Sequence, residues 1–468
     1  MSRRLRILHA VHDFLPRHQA GSELYAASLA RTQAAEHDVF VLAAEYEPAT
    51  PHGTLRWREF EGLPIIELVN NWEFSALAES YSSRRVNAQL THVLDAVRPD
   101  ILHCHNLLNL SFDLPRLARE RGARTVATLH DYTLVCPSGG QRVHTAEAHV
   151  CTVIDPDRCA RCFTQSPFYS QMGMRRLTHS GLGGIVATAS RVARRRAPWL
   201  LAAADQIPGP AITPGDIRQR LTSARNVLET IDLFAAPSRS LADEYIRLGL
   251  PPERLVVSDY GFEPAAARPR TAASTLRIGF VGTLVWHKGP HMLLEALQRL
   301  TLTPGGSRNP AFTVQLFGDV ATFPLYTTRL EQMAAGLPVT FEGRFDRSRV
   351  ADIYAHLDVL VVPSLWLENS PLVIHEAFQH GVAVVGSRIG GIPDLVEDGV
   401  NGLLYDPFSA DALAAVLGRL RNDRQLVGRL VSAAPPVKSI VDDAGEWALR
   451  YHQVLQCSPV TQVPCSID

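Results

Sequence analysis

The stretch Leu276-Arg-Ile-Gly-Phe-Val-Gly-Thr-Leu-Val-Trp-His-Lys-Gly-Pro290 reads as strand, glycine turn, loop and helix start. Apolar residues dominate 276–281, Gly282 frees the backbone at the strand end, and Pro290 suits a first helical turn, where a missing N–H costs nothing. Lys288 sets a compact cation just before that helix. A helix N-terminus beside a cation suits a diphosphate. The same alternation of strand and helix extends outward in both directions. Strands are expected at 313–317, 339–342, 359–362 and 383–386 on one side, and at 6–11, 38–42, 65–68, 101–103, 125–129 and 233–236 on the other. A helix is expected at 22–34, another near 290–300, and a last one at about 444–455. This pattern predicts α/β layers with largely parallel sheets. The Pro- and Ala-rich segment 263–274 reads as a linker between two doubly wound units. Ligands of such sheets bind at the C-terminal strand ends, so the chemistry is expected in a cleft between the units.

Bulk properties agree with a soluble globular chain. Of 468 residues, 46% are apolar and 20% charged, and 46 basic residues against 47 acidic ones leave a formal net charge of -1. No global field favours nucleic acid. No run of about 18 apolar residues predicts a transmembrane helix, and the N-terminus leads directly into a strand without a secretory pattern. Seven cysteines with a closing C-x2-C fit a reducing compartment. The expected location is cytoplasmic.

A second stretch, Pro363-Ser-Leu-Trp-Leu-Glu-Asn-Ser-Pro-Leu-Val-Ile-His-Glu-Ala-Phe378, holds two carboxylates eight positions apart across a helix start. Ser370 is expected as N-cap, Pro371 as the first helical residue and Gly381 as the stop. Helical side chains lean toward the N-terminus, so Glu376 can point to the end that Glu368 approaches from the loop. Two carboxylates beside an anion-binding helix terminus suit the hydroxyls of a sugar nucleotide.

This E-x7-E element, with its Pro-Ser before and Glu-Ala-Phe after, resembles the signature of retaining glycosyltransferases of the family 4 type. The stretch 276–290 resembles that family's phosphate loop, with Gly282, Lys288 and Gly289 matching and Thr283 where an Arg is common. The resemblance implies the GT-B fold: two Rossmann-like domains facing each other across a cleft. Residues 1–262 would form the acceptor-side domain and 275–439 the donor-binding domain, with a terminal helix at about 440–457 packing back on the first. The family pattern assigns the ribose hydroxyls to Glu376 and the donor sugar to Glu368. Lys288, with the N–H groups at Leu372 and Val373, would take the diphosphate. The strand-turn Val339-Thr-Phe-Glu-Gly-Arg-Phe345 would bracket the nucleobase, through Glu342 and Arg344 among others.

In the first half, Pro16-Arg-His-Gln-Ala-Gly-Ser-Glu23 resembles the loop that closes over the phosphates, with Gly21 and Glu23 matching and Ala20 replacing a glycine. His130, in Thr128-Leu-His-Asp-Tyr132, matches a family histidine near the reacting centre and could position or shuttle a proton. Asp131 is expected to orient His130 or the backbone. Without a convincing carboxylate nucleophile, a front-face transfer is expected, assisted by the leaving phosphate. Lysine and helix termini can neutralise that phosphate, so no catalytic metal is expected.

Cys136, Cys151, Cys159 and Cys162 have the spacing C-x14-C-x7-C-x2-C, which suits a structural tetrahedral zinc; His144 or His149 could replace one sulfur. Residues 172–201 carry six arginines among apolar residues, which could form a solvated helix face or a peripheral contact at the inner face of a membrane. The expected partners are therefore a nucleotide-sugar donor and a glycan, lipid-linked or other hydroxyl acceptor. Two other readings follow from the same features: a nucleotide-sugar 2-epimerase of the same fold, or a non-catalytic sugar-nucleotide or zinc-anchored binding protein.

Overall fold

The computed structural model describes residues 3–177, 209–265, 268, 273–302 and 312–456. Two parallel sheets dominate. The first has eight strands in the spatial order Leu255–Val257, Leu233–Ala236, Arg124–Thr128, Ile101–Cys104, Arg6–Val11, Asp38–Glu45, Leu63–Val69 and Leu55–Phe60. All pair in parallel except the edge strand Leu55–Phe60, which returns antiparallel as a hairpin. The second has six parallel strands, ordered Val339–Gly343, Phe312–Phe317, Leu276–Val281, Val359–Val362, Ala383–Ser387 and Gly402–Tyr405. That order is the doubly wound one, with its switch point between Leu276–Val281 and Val359–Val362. The crevice at a switch point lies beyond the strand ends, which here release the Lys288 loop and the Glu368 loop.

Parallel strands covered on both faces must be apolar throughout, and these are: Val359–Val362 and Ala383–Ser387 are buried at every position. Each sheet has its own core. One is centred on residues such as Ile278, Leu293, Val314 and Leu417, the other on Leu8, Leu42, Leu102 and Phe234. The terminal helix Ile440–Gln456 leaves the second unit and packs on the first. It buries Trp447 and Tyr451 beside Ile7, Tyr25 and Leu29.

Local expectations needed one correction at the E-x7-E element. The helix there is Leu372–Gln379, with Pro371 at its cap position and no side-chain cap bond. Ser370 is drawn instead to Asp259, whose Oδ1 accepts from Ser370 Oγ at 2.8 Å, and to His375 Nε2 at 2.9 Å. The basic stretch 178–201 lies outside the described residues, as do Cys457 and Cys465. Among the described residues no helix is long and apolar enough to cross a membrane.

Candidate functional site

The site forms where two helix N-termini meet across the cleft. The helix Gly21–Gln33 starts against the helix Leu372–Gln379, so closely that a Cβ on Gly21 would stand 3.2 Å from Leu372 Cδ1. The opening N–H groups of a helix lack intrahelical partners, so both termini present donors and positive dipole ends to one place. Ala20 precedes the first helix at φ −79°, an ordinary extended conformation, so alanine fits there without strain.

Lys288 and Glu368 pair beside these termini. Lys288 Nζ lies 2.8 Å from Glu368 Oε1 and 4.9 Å from the centre of the Trp366 ring. Ser364 Oγ donates to the same Oε1 at 2.5 Å. Both contacts use Oε1, and Glu368 is otherwise buried. The local backbone is built for this approach. Gly289 sits at φ +71°, and a Cβ there would overlap Pro363 O, so only glycine lets the two loops touch. Gly390, at φ +58°, lies similarly close to the Glu368 backbone. The Gly-Gly turn that follows Ser387 therefore supports the Glu368 loop from behind. Thr283 is exposed at the strand end, next to Gly282, which donates its N–H to Phe317 O at 2.9 Å.

Glu376 stands in the second turn of its helix, also buried. Its Oε2 accepts from Tyr354 OH at 3.0 Å, and its Oε1 pairs with Arg347 at 2.6 Å. Leu372, Glu376 and Arg347 line a cavity of about 470 Å³ between the domains, whose opposite wall includes Leu15, Tyr25 and Tyr260. Arg347 was missed in the sequence because it stands in a solvated Arg-rich turn, where Arg344 matched the family pattern better. Neither Glu342 nor Arg344 lines this cavity. Glu342 is exposed on the sheet edge and accepts from Gln315 Nε2 at 3.0 Å and Thr340 Oγ1 at 2.9 Å, and Arg344 is exposed.

His130 follows the strand Arg124–Thr128 and meets the other domain: its carbonyl accepts from Asn369 Nδ2. Its ring is committed to the interior. Nδ1 lies 2.8 Å from Tyr260 OH, and Nε2 lies 3.1 Å from His105 Nδ1. The chain continues from His105 Nε2 to His9 Nδ1 at 2.9 Å, and from His9 Nε2 to Gln33 Oε1 at 2.9 Å. Gln33 Nε2 donates to Tyr451 OH at 3.2 Å, and Tyr451 OH lies 2.7 Å from His103 Nδ1. An amide oxygen only accepts, which assigns every proton in turn: His9 carries its proton on Nε2, His105 on Nε2 and His130 on Nε2. Tyr260 then donates to His130 Nδ1. Burial lowers the His9 pKa to about 4, and burial with nearby His12 lowers that of His130 to about 3. Burial and neighbouring histidines hold His103 and His105 well below the usual range. The whole relay is neutral at pH 7. Both ring nitrogens of His130 are held in this relay. His9, His103 and His105 bring their nitrogens within 4.8 Å, as a metal site would, but their hydrogen bonds already occupy them.

Asp131 braces the following loop, accepting from Thr133 N at 2.7 Å and Asn106 Nδ2 at 2.9 Å, and burial raises its pKa. On the same side of the cleft His12 Nε2 lies 3.2 Å from buried Glu23. Cys136, Cys151, Cys159 and Cys162 line one small cavity beyond this loop.

The comparisons with known proteins fall on both halves. A model described as Glycosyltransferase Family 4 matches residues 20–168, and one described as Glycosyl transferases group 1 matches residues 275–423. Among curated relatives, a D-inositol 3-phosphate glycosyltransferase of Xylanimonas cellulosilytica is 31% identical over 253 residues, 49% of this chain and 58% of that protein. The sulfoquinovosyl transferase SQD2 of Arabidopsis thaliana is 28% identical over 42% of this chain and 38% of its own. The chain thus spans about half the length of the curated relatives it matches. Among solved structures, Anabaena Alr3699/HepE in complex with UDP and glucose superposes with a TM-score of 0.62 at 17% identity, over 96% of this chain and 100% of that one. That likeness establishes the shared two-domain GT-B fold. With one family model on each unit and the two together spanning more than half of its length, the chain belongs to the family 4, group 1 glycosyltransferases.

Proposed function

We propose that this protein is a retaining glycosyltransferase that moves a sugar from a nucleotide diphosphate donor to a hydroxyl of a glycan, lipid-linked or related acceptor. One observation carries the reading: Lys288 pairs with Glu368 four residues before the helix whose start faces Gly21, and Glu376, in the second turn of that helix, lines an interdomain cavity. The nucleoside would occupy that cavity, its ribose hydroxyls donating to Glu376 and displacing Arg347. The diphosphate would lie between the N–H groups at Leu372 and Val373, Lys288 and the Gly21 end. Glu368 Oε2 would accept from a hydroxyl of the donor sugar.

As the bond from the anomeric carbon to the phosphate oxygen breaks, negative charge grows on the leaving diphosphate. Donors fixed there stabilise the transition state more than the ground state. The acceptor oxygen bonds to the anomeric carbon on the same face, and its proton passes to the departing phosphate oxygen. His130 positions this edge of the cleft and exchanges no proton with the substrate. Lys288 and the helix ends supply the positive charge, so transfer proceeds without a divalent metal.

Thermal-shift measurements with UDP-, GDP- and ADP-linked sugars, with and without Mg²⁺, test donor binding. A shift with one nucleotide that is unchanged by Mg²⁺ and lost in Glu376→Ala is expected. Turnover assays then read the anomeric configuration of the product by NMR. Inversion, or release of an epimerised donor without transfer, would overturn the reading.

A further inference from the structure

We propose that Cys136, Cys151, Cys159 and Cys162 form a structural zinc site that anchors the loop leaving His130. The four residues are spread along the chain, yet they surround a single cavity of about 20 Å³. Three separate local structures bring them there. Cys136 follows a tight turn in which its N–H donates to Tyr132 O at 2.7 Å. Cys151 ends the small hairpin Val143–His144 and His149–Val150, its N–H donating to Arg142 O at 2.7 Å. Cys159 and Cys162 lie three apart on the helix Pro156–Thr164, so both side chains leave the same face. Asp155 caps that helix, accepting from the N–H groups of Asp157 and Arg158. All four cysteines are free and only partly buried.

The chemistry of the set is soft and complete. Four thiolates with one C-x2-C pair match the closed, fully protein-ligated coordination of structural zinc. The two nearby histidines are engaged elsewhere. His144 Nε2 lies 3.0 Å from Gln165 Oε1 with Nδ1 beside Glu147, and His149 Nε2 lies 2.8 Å from Arg158. The ligand set is therefore all sulfur rather than a mixture of sulfur and imidazole. No three of the sulfurs gather within 4.8 Å. Zinc bonds of about 2.3 Å would draw them to about 3.8 Å from one another, which asks hairpin and helix to approach.

The consequence reaches the cleft. Tyr132 N donates to Gly140 O at 2.9 Å, and Arg220 donates to Thr133 O at 2.5 Å and Leu134 O at 2.8 Å. The segment from His130 to Cys136 is thus tied at both ends, with the zinc knuckle as its outer anchor.

The test needs no substrate, so it is independent of the transfer reading. Purified full-length protein is assayed for zinc by mass spectrometry of the metal, and a Co²⁺-substituted sample is scanned for thiolate-to-cobalt charge transfer. About one equivalent of zinc and a tetrahedral thiolate cobalt spectrum are expected. Cys159→Ser and Cys151→Ser should each abolish both signals, and a chelator should lower the melting temperature of the wild type. Since a serine variant could simply misfold, the wild-type cobalt spectrum decides. A protein that retains no zinc, gives no thiolate band and leaves four thiols open to a thiol reagent in the presence of Zn²⁺ overturns the proposal. Zinc held equally by Cys159→Ser overturns it as well.

Discussion

His105 Nδ1 lies 3.1 Å from His130 Nε2, so the proton on the histidine that meets the C-terminal domain is set from inside the first sheet. The register Leu8↔Leu102, His9↔His103 and Ala10↔Cys104 puts two histidines side by side between strands, where only neutral rings are tolerated. Their pKa values are depressed in the folded state, so the folded protein binds fewer protons than the unfolded chain below about pH 6.5. The stability they permit is fully present above that pH and is lost as pH falls toward the folded values, about 4 for His9 and about 3 for His130. Urea denaturation from pH 7.5 to pH 4.5 should show a steadily falling midpoint with the same slope. A midpoint flat across that range would mean that the relay is not neutral.

The relay also predicts how its far end responds. Gln33 is buried and terminates the histidine chain with its amide oxygen. Gln33→Leu leaves His9 Nε2 without its acceptor and Tyr451 OH with His103 alone, and should cost about 1–3 kcal/mol. Gln33→Glu offers a carboxylate instead and should retain a proton in the relay at neutral pH, moving the acid limb of the stability profile. Chemical denaturation of the two variants at pH 7.5 and pH 5.5 separates these outcomes.

Glu376 and Arg347 predict opposite effects on donor binding. Glu376 is buried, and the proposed ribose contact is a charge-assisted pair of hydrogen bonds, so Glu376→Ala should weaken donor affinity about 10- to 100-fold. Arg347 is 46% exposed but its partner Glu376 is buried, so Arg347→Ala should cost about 1–3 kcal/mol of stability. Removing it also frees the carboxylate from a competing cation, so donor affinity should hold or rise. Calorimetric titration with the donor identified by thermal shift checks both. Weaker binding in Arg347→Ala would make this arginine a ligand contact instead.

The sequence exposed the parts of this molecule that repeat a local pattern. Apolar runs such as Val359–Val362 announce themselves because both faces are buried, and the Lys288 and Glu368 loops carry compact motifs. The edge strand Leu55–Phe60 went unread because Arg56, Trp57 and Arg58 look solvated, as Trp57 is at 56% exposure. The three-residue strand Leu255–Val257 is too short to show a period. Tertiary competition moved the helix start from Pro371 to Leu372, since Asp259 and His375 hold the Ser370 hydroxyl that would have capped it. The histidine relay joins residues from two strands, two helices and three loops, so no window of sequence contains it. Its one local sign was a histidine set inside each of the apolar strands Arg6–Val11 and Ile101–Cys104.

Lys288 and Glu368 form a pair whose two members fail differently. Lys288→Met removes the proposed diphosphate cation and strands a buried carboxylate, so turnover should fall about 10²- to 10³-fold and stability by about 1–3 kcal/mol. Replacing both, as Lys288→Met with Glu368→Leu, removes the stranded charge and should restore much of the stability but none of the turnover. Recovery of activity in the double variant would show that the pair serves packing alone.

Gly289 supplies the sharpest geometric test. At φ +71° an alanine is strained, and its Cβ would overlap Pro363 O, a backbone atom that cannot rotate aside. Gly289→Ala should cost about 2–4 kcal/mol and push the Pro363–Glu368 loop outward, separating Glu368 from Lys288. Glycine at position 336 offers the control: it too has positive φ, at +80°, but a Cβ there meets nothing within 4 Å. Gly336→Ala should therefore carry the backbone strain without the collision, losing about 1–2 kcal/mol while keeping donor affinity. Equal loss of donor binding in both variants would place the effect of Gly289 in global stability rather than in the approach of the two loops.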